Sequence, residues 1–72
     1  MNNAVYQKAY AAFRVRLKEA RLGAGLTQLE VAKSLQQPQS FVSKCESGER
    51  RVDFVELQTF AALYKVPLSY FL

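Results

Sequence analysis

The chain of 72 residues has no histidine, one cysteine, two prolines and three glycines. Without histidine it lacks the side chain that most often serves as general base or metal ligand. Cys45, the single cysteine, cannot close an internal disulfide. There is also no carboxylate pair at a catalytic spacing on one face, no glycine-rich phosphate loop and no metal-ligand set. An enzyme has nothing to be built from here, and no cofactor, metal or small-molecule ligand is expected. Signal-peptide features and apolar runs long enough to cross a membrane are missing, which points to a cytoplasmic protein with no membrane partner. Strand signals, internal repeats and low-complexity segments are absent as well.

Half of the residues are apolar, enough for a single small core without a staple. Ten Lys and Arg stand against six Asp and Glu. The excess lies in the first 21 residues, where Lys8, Arg14, Arg16, Lys18 and Arg21 face only Glu19. Such a bias favours a polyanionic partner, although small domains also carry it for solubility.

Periodicity makes the chain helical almost throughout. Tyr6, Tyr10, Phe13, Leu17 and Ala20 line one face of a long first helix, which "GAG" at residues 23–25 ends. Thr27 and Glu30 form a capping box that opens a second helix burying Val31, Ala32 and Leu35. Pro38 has no amide hydrogen to lose, so a third helix begins near Pro38 and Gln39, and Gly48 closes it. A second capping box, Asp53 with Glu56, opens a fourth helix whose inner stripe is Leu57, Phe60, Ala61 and Tyr64. Pro67 ends that segment and begins a last short turn through Phe71.

The third helix separates chemistry from packing. At about 100 degrees per residue, Phe41, Val42 and Cys45 fall on one side, and Gln39, Ser40, Ser43, Lys44 and Ser47 on the other. The polar side offers amide, hydroxyl and ammonium groups without a carboxylate, as the edges and phosphates of DNA require. An ordinary solvated helix face has a similar look.

The whole motif goes further. From about Phe13 to Phe71, "LKEARLGAGLTQLEVAKSL", "PQSFVSKCESGERR" and "DFVELQTFAALYKVPLSYF" resemble, in order and without gaps, the helix-turn-helix domain of lambda-type phage repressors, Cro proteins and the XRE group of bacterial regulators. The resemblance implies an all-α, compact five-helix fold over residues 1–72, with the helix-turn-helix at 27–47 and residues 1–12 as an extension of the first helix. It implies a sequence-specific regulator of transcription bound to double-stranded DNA, its third helix in the major groove. Gln39 becomes the leading base reader, able to form a bidentate pair with adenine, followed by Ser40, Ser43 and Lys44. Gln28, Ser47, Arg50 and Arg51 become phosphate contacts, with Arg14 and Lys18 as weaker candidates. Arg21 and Glu46 match a structural ion pair, Ala32 a position that needs a small side chain, and Val42 and Cys45 buried apolar positions. Cys45 is therefore expected to be an inert core thiol.

Two positions depart from the family pattern. Gln36 stands where the turn usually has glycine, so a left-handed backbone there is strained. Leu29 stands where a polar residue is common. A single small domain makes few contacts, so a homodimer on an inverted-repeat operator is expected. Its candidate surface is Val66, Leu68, Tyr70, Phe71 and Leu72, with packing on their own domain as the competing outcome and Tyr6 with Tyr10 as another patch. The rival function is a protein-interaction module on the same fold, as in antitoxin subunits. In size the chain is similar to Cro-like repressors and to controller proteins of restriction-modification systems.

Overall fold

The computed structural model describes residues 3–72, and the first two residues of the expected 1–12 extension lie outside them. Four α-helices follow one another: α1 (Asn3–Gly23), α2 (Gln28–Leu35), α3 (Gln39–Ser47) and α4 (Phe54–Tyr64). The expected fifth helix is instead one 3₁₀ turn, Leu68–Phe71. Its amides bond three residues back, Tyr70 to the carbonyl of Pro67 at 3.0 Å and Leu72 to that of Ser69 at 3.2 Å, so the chain tightens instead of forming α-helical turns. The described residues are helical or loop, with no strand.

Local chemistry sets the helix ends. The hydroxyl of Thr27 accepts from the Glu30 amide at 3.1 Å, and the carboxylate of Glu30 accepts from the Thr27 amide at 2.9 Å. Asp53 and Glu56 repeat this reciprocal arrangement at the start of α4, at 2.7 and 3.0 Å. At the other ends the backbone passes through the left-handed region at Gln36 (φ 56°), Gly48 (φ 89°) and Lys65 (φ 59°). After Gln36 and after Lys65 the next amide reaches back five residues, Gln37 to Ala32 and Val66 to Ala61. Such terminal loops satisfy carbonyls that a helix end otherwise leaves open.

The core takes Leu17 and Ala20 from α1, Val31 and Ala32 from α2, and Val42 and Cys45 from α3. Phe60, Ala61 and Tyr64 of α4 and Phe71 of the final turn complete it. Phe41, Phe60 and Tyr64 stack in succession, while Tyr10, Phe13 and Phe71 form a second aromatic row that ties α1 to the final turn. Fully burying a side chain of this size contributes about 1.5–3 kcal/mol; the first row joins α3 to α4 and the second α1 to the final turn, while α2 enters the core through Val31 and Ala32. Tyr6 lies beyond the core and is exposed, unlike the rest of the expected α1 face.

Candidate nucleic-acid interface

Val42 and Cys45, fully buried, anchor the inner side of α3 and turn Gln39, Ser40, Lys44 and Ser47 to solvent, with Ser43 half-buried. The side chains of Gln39 and Lys44 have no partner among the described residues, so their donors and acceptors point outward unpaired. The serines bond loosely to their own helix: the Ser43 hydroxyl donates to the Ser40 carbonyl at 3.5 Å and the Ser47 hydroxyl to the Lys44 carbonyl at 3.3 Å. Glu49 lies beside Ser47, its carboxylate 3.5 Å from that hydroxyl, and adds one acidic group at the rim.

The acidic residue within α3, Glu46, turns inward. Its carboxylate accepts from Arg21 Nε at 2.7 Å, from Arg21 Nη2 at 3.1 Å and from Gln28 Nε2 at 3.1 Å. Arg21 also donates to the Leu26 carbonyl at 2.9 Å, so one guanidinium joins α1, the loop before α2 and the end of α3. The hydrogen bonds to Glu46 hold Arg21 charged, overcoming the opposing effect of burial. Gln28, expected at a phosphate, gives one amide hydrogen to Glu46 and so braces α2 against α3, leaving its second amide hydrogen and its carbonyl oxygen for another partner.

Arg50 is likewise committed elsewhere. Its Nη1 and Nη2 grip the Glu56 carboxylate at 2.8 and 2.7 Å, and its guanidinium lies 4.6 Å from the Phe41 ring centroid. This fork holds the Glu56 carboxyl below its usual range and raises Arg50 further. The Arg50 side chain is still 41% exposed, so the pair with Glu56 orients the guanidinium without enclosing it. Arg14 donates from Nη1 to the Ser47 carbonyl, placing a positive charge at the negative end of the α3 dipole. A Cβ at Gly48 meets the same side chain at 2.8 Å, a contact that the flexible Arg14 can relieve by shifting, so it is the positive φ that calls for glycine there. Lys18 stands exposed on α1.

Arg51 is held by the α1 extension. Its guanidinium lies 4.6 Å from the Tyr6 ring and 4.4 Å from the Tyr10 ring, and it donates to the Tyr6 hydroxyl at 2.6 Å. The Val52 amide donates to the Tyr10 hydroxyl at 3.0 Å. Both tyrosines thus fasten the loop after α3 to α1, a role the sequence does not disclose because 45 residues separate Tyr6 from Arg51. Beside this contact runs a basic groove lined by Gln7, Lys8, Arg14, Ser47 and Arg51.

Other expected site residues fall differently. Phe71 is buried in its own core, and Val66 and Tyr70 are half-buried, because the 3₁₀ turn folds back on α1 and α4. Phe71 is therefore unavailable to a second chain, and only Leu68 and Leu72 of that cluster stay exposed. Leu29 is exposed on α2. Burial raises the Cys45 thiol pKa, the effect of the nearby Arg50 being smaller and opposite.

Two short helices joined by a tight left-handed turn, the second presenting unpaired polar groups, define a helix-turn-helix domain. Residues 17–71 match the helix-turn-helix family. The solved XRE-family like protein from Pseudomonas syringae pv. tomato is 39% identical and superposes with a TM-score of 0.88, over 96% of this chain and 84% of that one. No curated protein matches. The chain belongs to the XRE-type, lambda-repressor-like helix-turn-helix family of DNA-binding regulators.

Proposed function

We propose that this protein is a sequence-specific, Cro-like repressor of transcription that binds double-stranded DNA as a homodimer on an inverted-repeat operator. The observation that carries the reading is the outer face of α3, where the side chains of Gln39 and Lys44 have no partner among the described residues and Glu46 is withdrawn toward Arg21 and Gln28. With α3 in the major groove, Gln39 reads an adenine edge and Ser40, Ser43 and Lys44 follow along the groove. Arg51, Arg14 and Lys18 then border the phosphates beside the Ser47 hydroxyl, and the charge of the three cations makes binding salt-dependent. Dimerisation supplies the second half-site that so small a reading surface needs.

Selection from a randomised duplex library near physiological salt tests this reading. The expected product is an inverted repeat with half-sites about one helical turn apart. Gln39→Ala should relax one position in each half-site, losing about 1–3 kcal/mol of discrimination there. Enrichment of no sequence at all would sink the proposal and direct the search to a protein partner.

A further inference from the structure

α1 carries a second stripe on the side away from the core. Val5, Lys8, Ala12, Val15, Glu19 and Leu22 recur at alternating steps of three and four, and all six are exposed. Val5, Val15 and Leu22 keep 66%, 58% and 57% of their surface in water. Apolar side chains at this spacing form the seam of a two-helix coiled coil, and nothing among the described residues covers them. The ion pairs of the described residues, Arg21–Glu46 and Arg50–Glu56, leave Lys8 and Glu19 out.

Along the helix the stripe runs apolar, Lys, Ala, Val, Glu, apolar, and its charges exchange sign when it is read backwards. We propose that two copies of this chain pair through α1 in antiparallel fashion, about a two-fold axis passing between Ala12 and Val15. That axis sets Val5 against the partner's Leu22, Lys8 against the partner's Glu19 and Ala12 against the partner's Val15, each pairing occurring twice. A parallel arrangement instead puts Lys8 on the partner's Lys8 and Glu19 on the partner's Glu19, which is repulsive. The flanks also fit: Arg16 and Lys18 come opposite the partner's Ala9 and Ala11, where small side chains leave room for long basic stems. Arg16 lies 5.9 Å from the Tyr70 ring, so the final turn borders the seam on one side.

From Val5 to Leu22 the seam is about 26 Å long. An interface of that size is at the small end for stable complexes, so the dissociation constant should be about micromolar. The pairing rests on the homodimer of the proposed function but is independent of which sequence α3 reads. It assigns the dimer surface to α1 instead of to the final turn, most of whose apolar groups are used by the domain itself.

Sedimentation equilibrium across the micromolar range tests the pairing, with circular dichroism to check that each surface variant stays folded. Val15→Glu, Lys8→Glu and Glu19→Lys should each weaken the dimer about tenfold or more. The Lys8→Glu/Glu19→Lys double variant, and an equimolar mixture of the two single variants, should return to within about threefold of the wild type. Dissociation unchanged in all three single variants, a wild type that stays monomeric, or no rescue by the double variant would each overturn it. Library selection separates the two readings. If Val15→Glu binds the selected inverted repeat as tightly as the wild type, the α1 pairing falls and DNA reading stands. If the wild type pairs through α1 yet enriches no sequence, the pairing stands and DNA reading falls.

Discussion

Arg21 and Glu46, 25 residues apart, meet with their side chains almost wholly withdrawn from water and share two hydrogen bonds. Because Gln28 also donates to Glu46, this one carboxylate sets the relation of α1, α2 and α3. Removing either partner leaves a buried charge uncompensated. Glu46→Ala should cost about 3 kcal/mol or more, a large part of the stability of a small domain. Urea denaturation measures it, and a loss below about 1 kcal/mol would show that the pair is exposed in solution.

Gln36 occupies a left-handed conformation, φ 56° and ψ 43°, that a glycine adopts without strain. Gln36→Gly should stabilise the domain by a net of about 0.5–1 kcal/mol, the relieved strain being partly offset by a more flexible unfolded chain. A rise in melting temperature of about 2–8 °C is expected. Gln36→Val should lower it, and an unchanged melt for both would mean that the turn is not strained.

Stability should fall in acid. The Glu56 carboxyl is held below its usual 4.5 first by Arg50, and Glu30 is held down by hydrogen bonds at Thr27. For groups depressed in the folded state, the stabilisation is complete above the unfolded value and disappears as pH falls through the folded value. The urea midpoint should therefore be level above about pH 5.5 and decline below about 4.5. Glu56→Gln should lower the plateau and flatten the decline; a wild-type-like decline would remove Glu56 from the account.

Arg51 between Tyr6 and Tyr10 predicts a measurable coupling. A double-mutant cycle of Arg51→Ala with Tyr10→Ala should give about 0.5–1 kcal/mol. Tyr10→Phe tests the bond from the Val52 amide separately and should cost about 1 kcal/mol. Additive single losses would mean that the extension does not hold this loop.

The Cys45 thiol is fully buried and its pKa is raised by that burial. Native protein should react with a thiol reagent no faster than it unfolds, and denaturant should expose a full equivalent at once. Rapid labelling under native conditions would count against a purely structural thiol.

Much of this protein is determined by neighbours in the sequence. Helix periods, both capping boxes, the closing Gly48 and the burial of Val42 and Cys45 depend on residues three or four apart, whose interactions the order of the chain dictates. For the same reason the outward set of Gln39, Ser40 and Lys44 is legible beforehand. The strained turn at Gln36 could be anticipated from a family pattern, whereas the matching turn at Lys65 could not, since lysine does not signal a left-handed backbone. Tertiary structure alone decided how the polar and basic side chains around the site are engaged. Arg50 closes on Glu56, Arg14 caps α3, Arg51 lies against Tyr6 and Tyr10, and Gln28 turns to Glu46, because packing brought each a partner. It also decided that Phe71 belongs to the core of the domain while Val15 and Leu22 are left outside it. A sequence states the charge and apolarity of a side chain, but its commitment depends on distant segments that meet only when the core closes.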